Sequence, residues 1–148
     1  MQETHEELKF LEEHPEVDLV AVMADYKRPR EYAEKFSSIR MRKNLIIPAG
    51  TVIDGKEVVY KTPNCFIART EKLRLVGYDE NIHIFDHHEF FSRAAGRIVC
   101  VIDPDSCIMH CHNMFEKQNY ESFRFDTRND IQYLCGKHVS RYQRKYRC

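Results

Sequence analysis

Asp86, His87, His88 and Glu89 stand in a row, and Phe90 and Phe91 follow them directly. Four side chains able to hold protons or a cation are thus joined to an apolar pair that can anchor them on a core. One chemistry suited by this order is general-base catalysis, with a carboxylate fixed at a helix start and aimed at a hydroxyl. The other reading is structural. Asp86 has the right type for a helix N-cap, and Glu89, three residues on, can reach back to it in a capping box. The residues alone leave both readings open.

Further along, Cys107, His110, Cys111 and His112 offer metal-ligand chemistry. On an extended segment His110 and His112 point to one side and Cys111 to the other. A zinc-stabilised binding module could draw on these four together with His87 or His88. The spacing fits no common zinc finger, however, and adjacent residues on a strand cannot all reach one tetrahedral ion. Asp103-Pro104-Asp105 is the one Asp-x-Asp in the chain. It reads as a turn, since proline presets φ and aspartates bond nearby backbone.

Three stretches occur in fixed order: Asn64-Cys65-Phe66-Ile67-Ala68-Arg69-Thr70, then Val76-Gly77-Tyr78-Asp79, then His88-Glu89-Phe90-Phe91. In order and spacing they resemble inverting GT-A glycosyltransferases of family two. The nearest likeness is to the branch with ganglioside-type β-1,4-N-acetylgalactosaminyltransferases and their bacterial relatives. The resemblance covers roughly residues 45 to 138. It implies that Glu89 is the base that deprotonates the acceptor hydroxyl, and that Asp86, His87, His88, Arg69 and Asn64 bind substrate. It also implies a divalent metal, manganese or magnesium, on the donor diphosphate, with His110 as ligand and His112 as the alternative. The implied partners are a nucleotide sugar and a glycan acceptor. The chain departs from the family in lacking the N-terminal nucleotide-binding βαβ units, so the expectation is the acceptor-side, catalytic-base half of a transferase. A catalytically idle relative that binds a glycan or a partner chain is the alternative.

The elements that must position these residues can be read in order. Thr4-x-x-Glu7 is a capping box, with Leu8, Phe10 and Leu11 as the apolar side of a helix stopped by His14-Pro15. Val17 to Met23 is a nearly unbroken apolar run, as expected of a strand covered on both faces. Tyr26 to Asn44 is basic, and reads as a solvated face or as a loop that helps hold a diphosphate or an anionic acceptor. Leu45 to Tyr60 predicts a β-hairpin turning at Asp54-Gly55. Asn64 to Ala68 is a strand, Thr70 caps a helical turn closed by Gly77, and Arg97 to Ile102 is a further buried strand. Arg69 is placed either to orient a donor phosphate or to pair with Asp79 or Glu80. Residues 114 to 148 read as a helical tail with a break at Gly136 and a basic end.

Together these elements predict an α/β fold, a mixed sheet flanked by helices, resembling the C-terminal part of a GT-A domain and forming one domain over residues 1–148. Lys plus Arg number 23 and Asp plus Glu 23, a balance that argues against nucleic-acid binding driven by net charge. No apolar run approaches the ~20 residues that span a bilayer, and the start MQETHEEL does not read as a secretory leader. Six cysteines could pair, but three lie in or beside apolar strands, where a free thiol behaves as a small hydrophobe. The reduced state and a cytoplasmic location are therefore expected, with the basic end suited to lying near anionic lipid. Absent upstream strands would leave a sheet edge open to a second copy or a partner chain.

Overall fold

The structure, a computed structural model, describes residues 2–24, 45–108 and 128–137. The basic stretch from Tyr26 to Asn44 lies outside them, as does most of the tail. Helix α1 spans Gln2–Glu13, β1 Leu19–Ala24, β2 Val52–Ile53, β3 Lys56–Val58 and β4 Phe66–Ala68. Helix α2 spans Thr70–Val76, α3 Asp86–Ala94, β5 Cys100–Ile108 and α4 Arg128–Lys137. The chain divides into two compact units, Met1–Gly77 with Phe90–His110 and Tyr78–Glu89 with Cys111–Cys148.

The first unit holds a mixed, open sheet ordered β2-β3-β5-β1-β4. β1 and β5 run parallel, while β4 joins β1 and β3 joins β5 antiparallel. The unbroken apolar run of β1 is explained by burial on both faces. Leu19, Ala21 and Met23 face a core that includes Val76, Phe90, Phe91 and Ala94, joined by Cys100 and Ile102. Val20 faces the opposite core of Phe10, Leu11, Val17, Val99 and Val101. Helices α2 and α3 therefore supply one layer and α1 the other. Phe90 and Phe91 pack edge to face, ring centroids 5.1 Å apart. Burying each contributes about 1.5–3 kcal/mol, enough to fix the C-terminal half of α3.

The hairpin forms as the sequence predicts. Val52 pairs with Glu57 and Ile53 with Lys56 around Asp54 at φ 42° and Gly55 at φ 83°, the paired positive angles of a two-residue hairpin turn. Asp103-Pro104-Asp105 also turns, but inside β5. The register with β1 jumps from Val22↔Asp103 to Met23↔Cys107, so residues 104–106 bulge out. Asp103 Oδ1 accepts the amides of Asp105 at 2.8 Å and Ser106 at 3.2 Å, closing the bulge.

Several caps differ from expectation. Helix α1 already begins at Gln2, so Thr4 lies within the helix rather than at its cap position. Glu7 is instead buried, because an interior lysine, Lys56, sits 3.5 Å from its Oε2. Thr70 is the first residue of α2 rather than its cap; Arg69 takes the cap position, and its side chain makes no capping bond to the helix. Gly77 closes α2 as predicted, at φ 63°, its amide 2.8 Å from the Leu73 carbonyl.

Candidate functional site

The second unit is organised by α4. Asp130, Leu134 and Lys137 fall at i, i+4 and i+7, one face of the helix. Leu134 forms a small core with Ile82 and Cys135. Asp130 is 2 % exposed, and its Oδ2 accepts the amides of Ile84 at 2.6 Å and Phe85 at 2.9 Å; both oxygens lie 3.2 Å from the His83 amide. The Phe85 carbonyl takes the first intrahelical bond of α3, from the Glu89 amide at 2.9 Å. The carboxylate that ties down the chain at this helix start is thus Asp130, from another segment. Asp86, expected as the N-cap, is the first residue of the helix proper. A buried carboxylate at this end also complements the helix dipole.

Glu89 is fully buried, at 0 % exposure. Lys137 Nζ stands 3.3 Å from its Oε1 and also pairs with Asp79 Oδ2. Asp79 Oδ1 accepts the Asn81 backbone amide and side-chain amide, each at 3.0 Å, and Asp79 Oδ2 accepts the Tyr133 hydroxyl at 3.0 Å. The ammonium lies 5.7 Å from the Tyr133 ring centroid. The bond from Lys137 and the Asn81 amide hold the Asp79 carboxyl far below the ordinary carboxylate range. Burial alone would lower the Lys137 ammonium, but the bond to Asp79 and the Glu89 charge outweigh it and hold it above the ordinary lysine value. Tyr78 is raised, first by burial and then by the Asp86 charge.

The other expected site residues are distributed differently. His87 and His88 are half-buried on the first turn of α3, and the His88 ring lies 6.1 Å from that of Phe85. Asn64 is exposed ahead of β4. Arg69 lies at the end of β4, where its Nε donates to the Val17 carbonyl at 3.1 Å and its Nη2 to the Leu11 carbonyl. It closes the end of α1 and the entry to β1, while the cation beside Asp79 is Lys137. His110, Cys111 and His112 lie outside the described residues. No group of three or more His, Cys, Asp or Glu suited to a metal ion occurs among the described residues. The Asp103 carboxylate is occupied by Lys56 and Ser106, so it offers no free ligand.

Among the cysteines, Cys65, Cys100 and Cys107 are free, whereas Cys135 is disulfide-bonded. The reduced state expected for the whole set is corrected at Cys135. The three thiols belong to or flank the strands of a large core; Cys135 belongs to a core of three buried residues, where a cross-link adds what burial cannot. No helix among the described residues is long and apolar enough to cross a membrane.

The site residues that sequence reading passed over are Asp130 and Lys137. Their i and i+7 spacing was a legible sign that the two share one face of the tail helix. Nothing local marked which segment they would meet. Comparison with protein-family models, curated proteins and solved structures finds no match.

Proposed function

We propose that the chain carries the acceptor-side, catalytic-base region of an inverting glycosyltransferase acting on a UDP-sugar, with a hexose or N-acetylhexosamine passed to a glycan hydroxyl. The observation that supports this reading is the placement of Glu89. It is a carboxylate on the first turn of α3, with Phe90 and Phe91 buried behind it and Lys137 at 3.3 Å. In the proposed step Glu89 takes the proton of the acceptor hydroxyl as that oxygen bonds to the anomeric carbon. The bond from that carbon to the diphosphate oxygen breaks, and UDP leaves with the electron pair. A divalent metal would offset charge on the leaving diphosphate; no donor set for it is assembled among the described residues.

A second reading, a catalytically idle relative that binds a glycan or partner chain, is favoured by one feature: Glu89 has no exposed surface here. The two readings part in a calorimetric titration of UDP and UDP-N-acetylhexosamines into the full chain, with and without manganese, followed by an acceptor screen with Glu89→Gln as control. Metal-dependent binding and turnover lost in the variant support the transferase. A folded protein that takes up no donor at millimolar ligand rules out a stand-alone enzyme and leaves the idle relative.

A further inference from the structure

We propose that Lys137 is the positioning residue for Glu89, fixing its carboxylate as an oriented anion through an ammonium that Asp79 and Tyr133 hold in place. The proposal rests on the reading of Glu89 as the base. Its geometric content, however, is independent of that reading.

A glutamate has three rotatable side-chain bonds, and a base must be held within a few tenths of an ångström of its productive direction. Burial removes water as a partner, so a charged carboxylate there needs a cation at hydrogen-bonding distance. Lys137 meets that need at 3.3 Å from Oε1. A free lysine is a flexible point charge, but this one is restrained on its other side. Asp79 binds the same ammonium and is itself fixed by Asn81 and Tyr133, and the Tyr133 ring lies beneath the charge. One turn of α4 thus supplies both the cation and the ring that steadies it, while Asp130 at the other end of that helix pins the residues just before α3. Glu89 is therefore approached by a single helix at two points, one through the backbone and one through its carboxylate. The side chain of Lys137 keeps 32 % exposure, so its ammonium has room to shift when a ligand arrives.

The test has two arms in the full-length chain. The first is side-chain ¹⁵N NMR of Lys137, assigned by its loss in Lys137→Arg. Its titration midpoint lies above that of ordinary lysines and falls in Glu89→Gln with Asp79 intact. An unchanged midpoint in Glu89→Gln overturns the proposal, whether or not the protein turns over. The second arm uses turnover. Lys137→Met lowers kcat by on the order of 100-fold, the scale of a misplaced catalytic group. It also moves the acid limb of the pH profile to higher pH, because the carboxyl loses its cation; Lys137→Arg restores most of both. A folded Lys137→Met with wild-type kcat and pH profile overturns the positioning role, and a shift in thermal stability alone would mark Lys137 as merely structural. A coupled midpoint in a protein that never turns over sinks the transferase reading and, with it, the catalytic use of the contact. Should Lys137→Met fail to fold, the Glu89→Gln titration decides.

Discussion

Lys56 Nζ lies 3.5 Å from Glu7 Oε2, inside the first unit, and the same ammonium is bound by Asp103. One cation thus faces two buried carboxyl groups, and they do not share the charge equally. Burial, together with the neighbouring Asp103, pushes Glu7 up to about 7. For Asp103, burial acts upward too, but the bond from Lys56 and the neighbouring Glu7 carboxyl outweigh it and bring the group to about 2. Asp103 carries the charge and Glu7 keeps its proton in acid.

The two shifts act on stability with opposite signs. Glu7 is raised above its unfolded value, so its contribution is complete below about pH 4.5 and is lost as pH rises through about 7. Asp103 is lowered, so its contribution is present above its unfolded value and is lost as pH falls toward about 2. Urea unfolding should therefore show stability declining between pH 5 and 7.5, by on the order of 2 kcal/mol. Glu7→Gln should flatten that decline without loss at pH 7.5. An unchanged slope in the variant would assign the pH dependence to another group.

Removing the shared cation is a separate matter. Lys56→Met leaves two carboxyl groups buried without their counter-ion and removes the ammonium 4.9 Å from the Phe10 ring centroid. The expected cost at neutral pH is about 3–5 kcal/mol, the scale for breaking a buried pair from one side. Partial rescue is expected in acid, where a second proton can neutralise Asp103. Denaturant melts at pH 7 and pH 4 check both statements.

Asp130→Ala removes the acceptor for the amides of His83, Ile84 and Phe85. Each orphaned buried amide costs about 1–3 kcal/mol, and these three can partly regain water as the loop opens. Amide hydrogen exchange should accelerate at these residues while β1 and β5 stay protected. Uniform acceleration across the chain would mean that Asp130 supports global stability rather than this helix start.

Gly77 tests the backbone alone. At φ 63° and ψ 151° it occupies a region that L-residues avoid, yet a Cβ there would meet only the Arg74 carbonyl at 3.9 Å, an ordinary contact. Gly77→Ala should therefore destabilise by about 1–3 kcal/mol through conformation and not crowding. The Gly77 carbonyl accepts the Arg93 guanidinium at 2.7 Å, which binds α3 to the end of α2. Arg93→Met is expected to cost a similar amount, and the double variant less than the sum, since both act at one junction.

What the sequence disclosed and what it hid follow from the range of the forces involved. The two-faced burial of β1 was legible because its run from Val17 to Met23 is apolar but for Asp18, and the hairpin because Asp54-Gly55 permits positive φ. The Asp103 turn was legible because proline presets φ and aspartates bond nearby backbone, though its place inside a strand was not. Glu7 looked like half of a capping box because Thr4 stands three residues before it; its true partner, Lys56, is 49 positions away. Asp86 looked like the cap of α3, yet the amides before it are held by Asp130, 45 residues downstream of Phe85. Local chemistry predicts that a helix start needs an acceptor, but not which of several carboxylates will supply it.

Glu89→Gln carries the sharpest separation between the catalytic and structural roles of the acidic helix start. The substitution keeps shape and volume, and Lys137 retains Asp79 as its partner, so the expected loss of stability is about 1–2 kcal/mol. As a general base Glu89 is worth about 10²–10⁴-fold in rate. Turnover should fall by that factor while donor affinity stays within about twofold, because the base acts on the acceptor and not on the diphosphate. A folded Glu89→Gln that keeps wild-type turnover and donor affinity would remove Glu89 from the role of base.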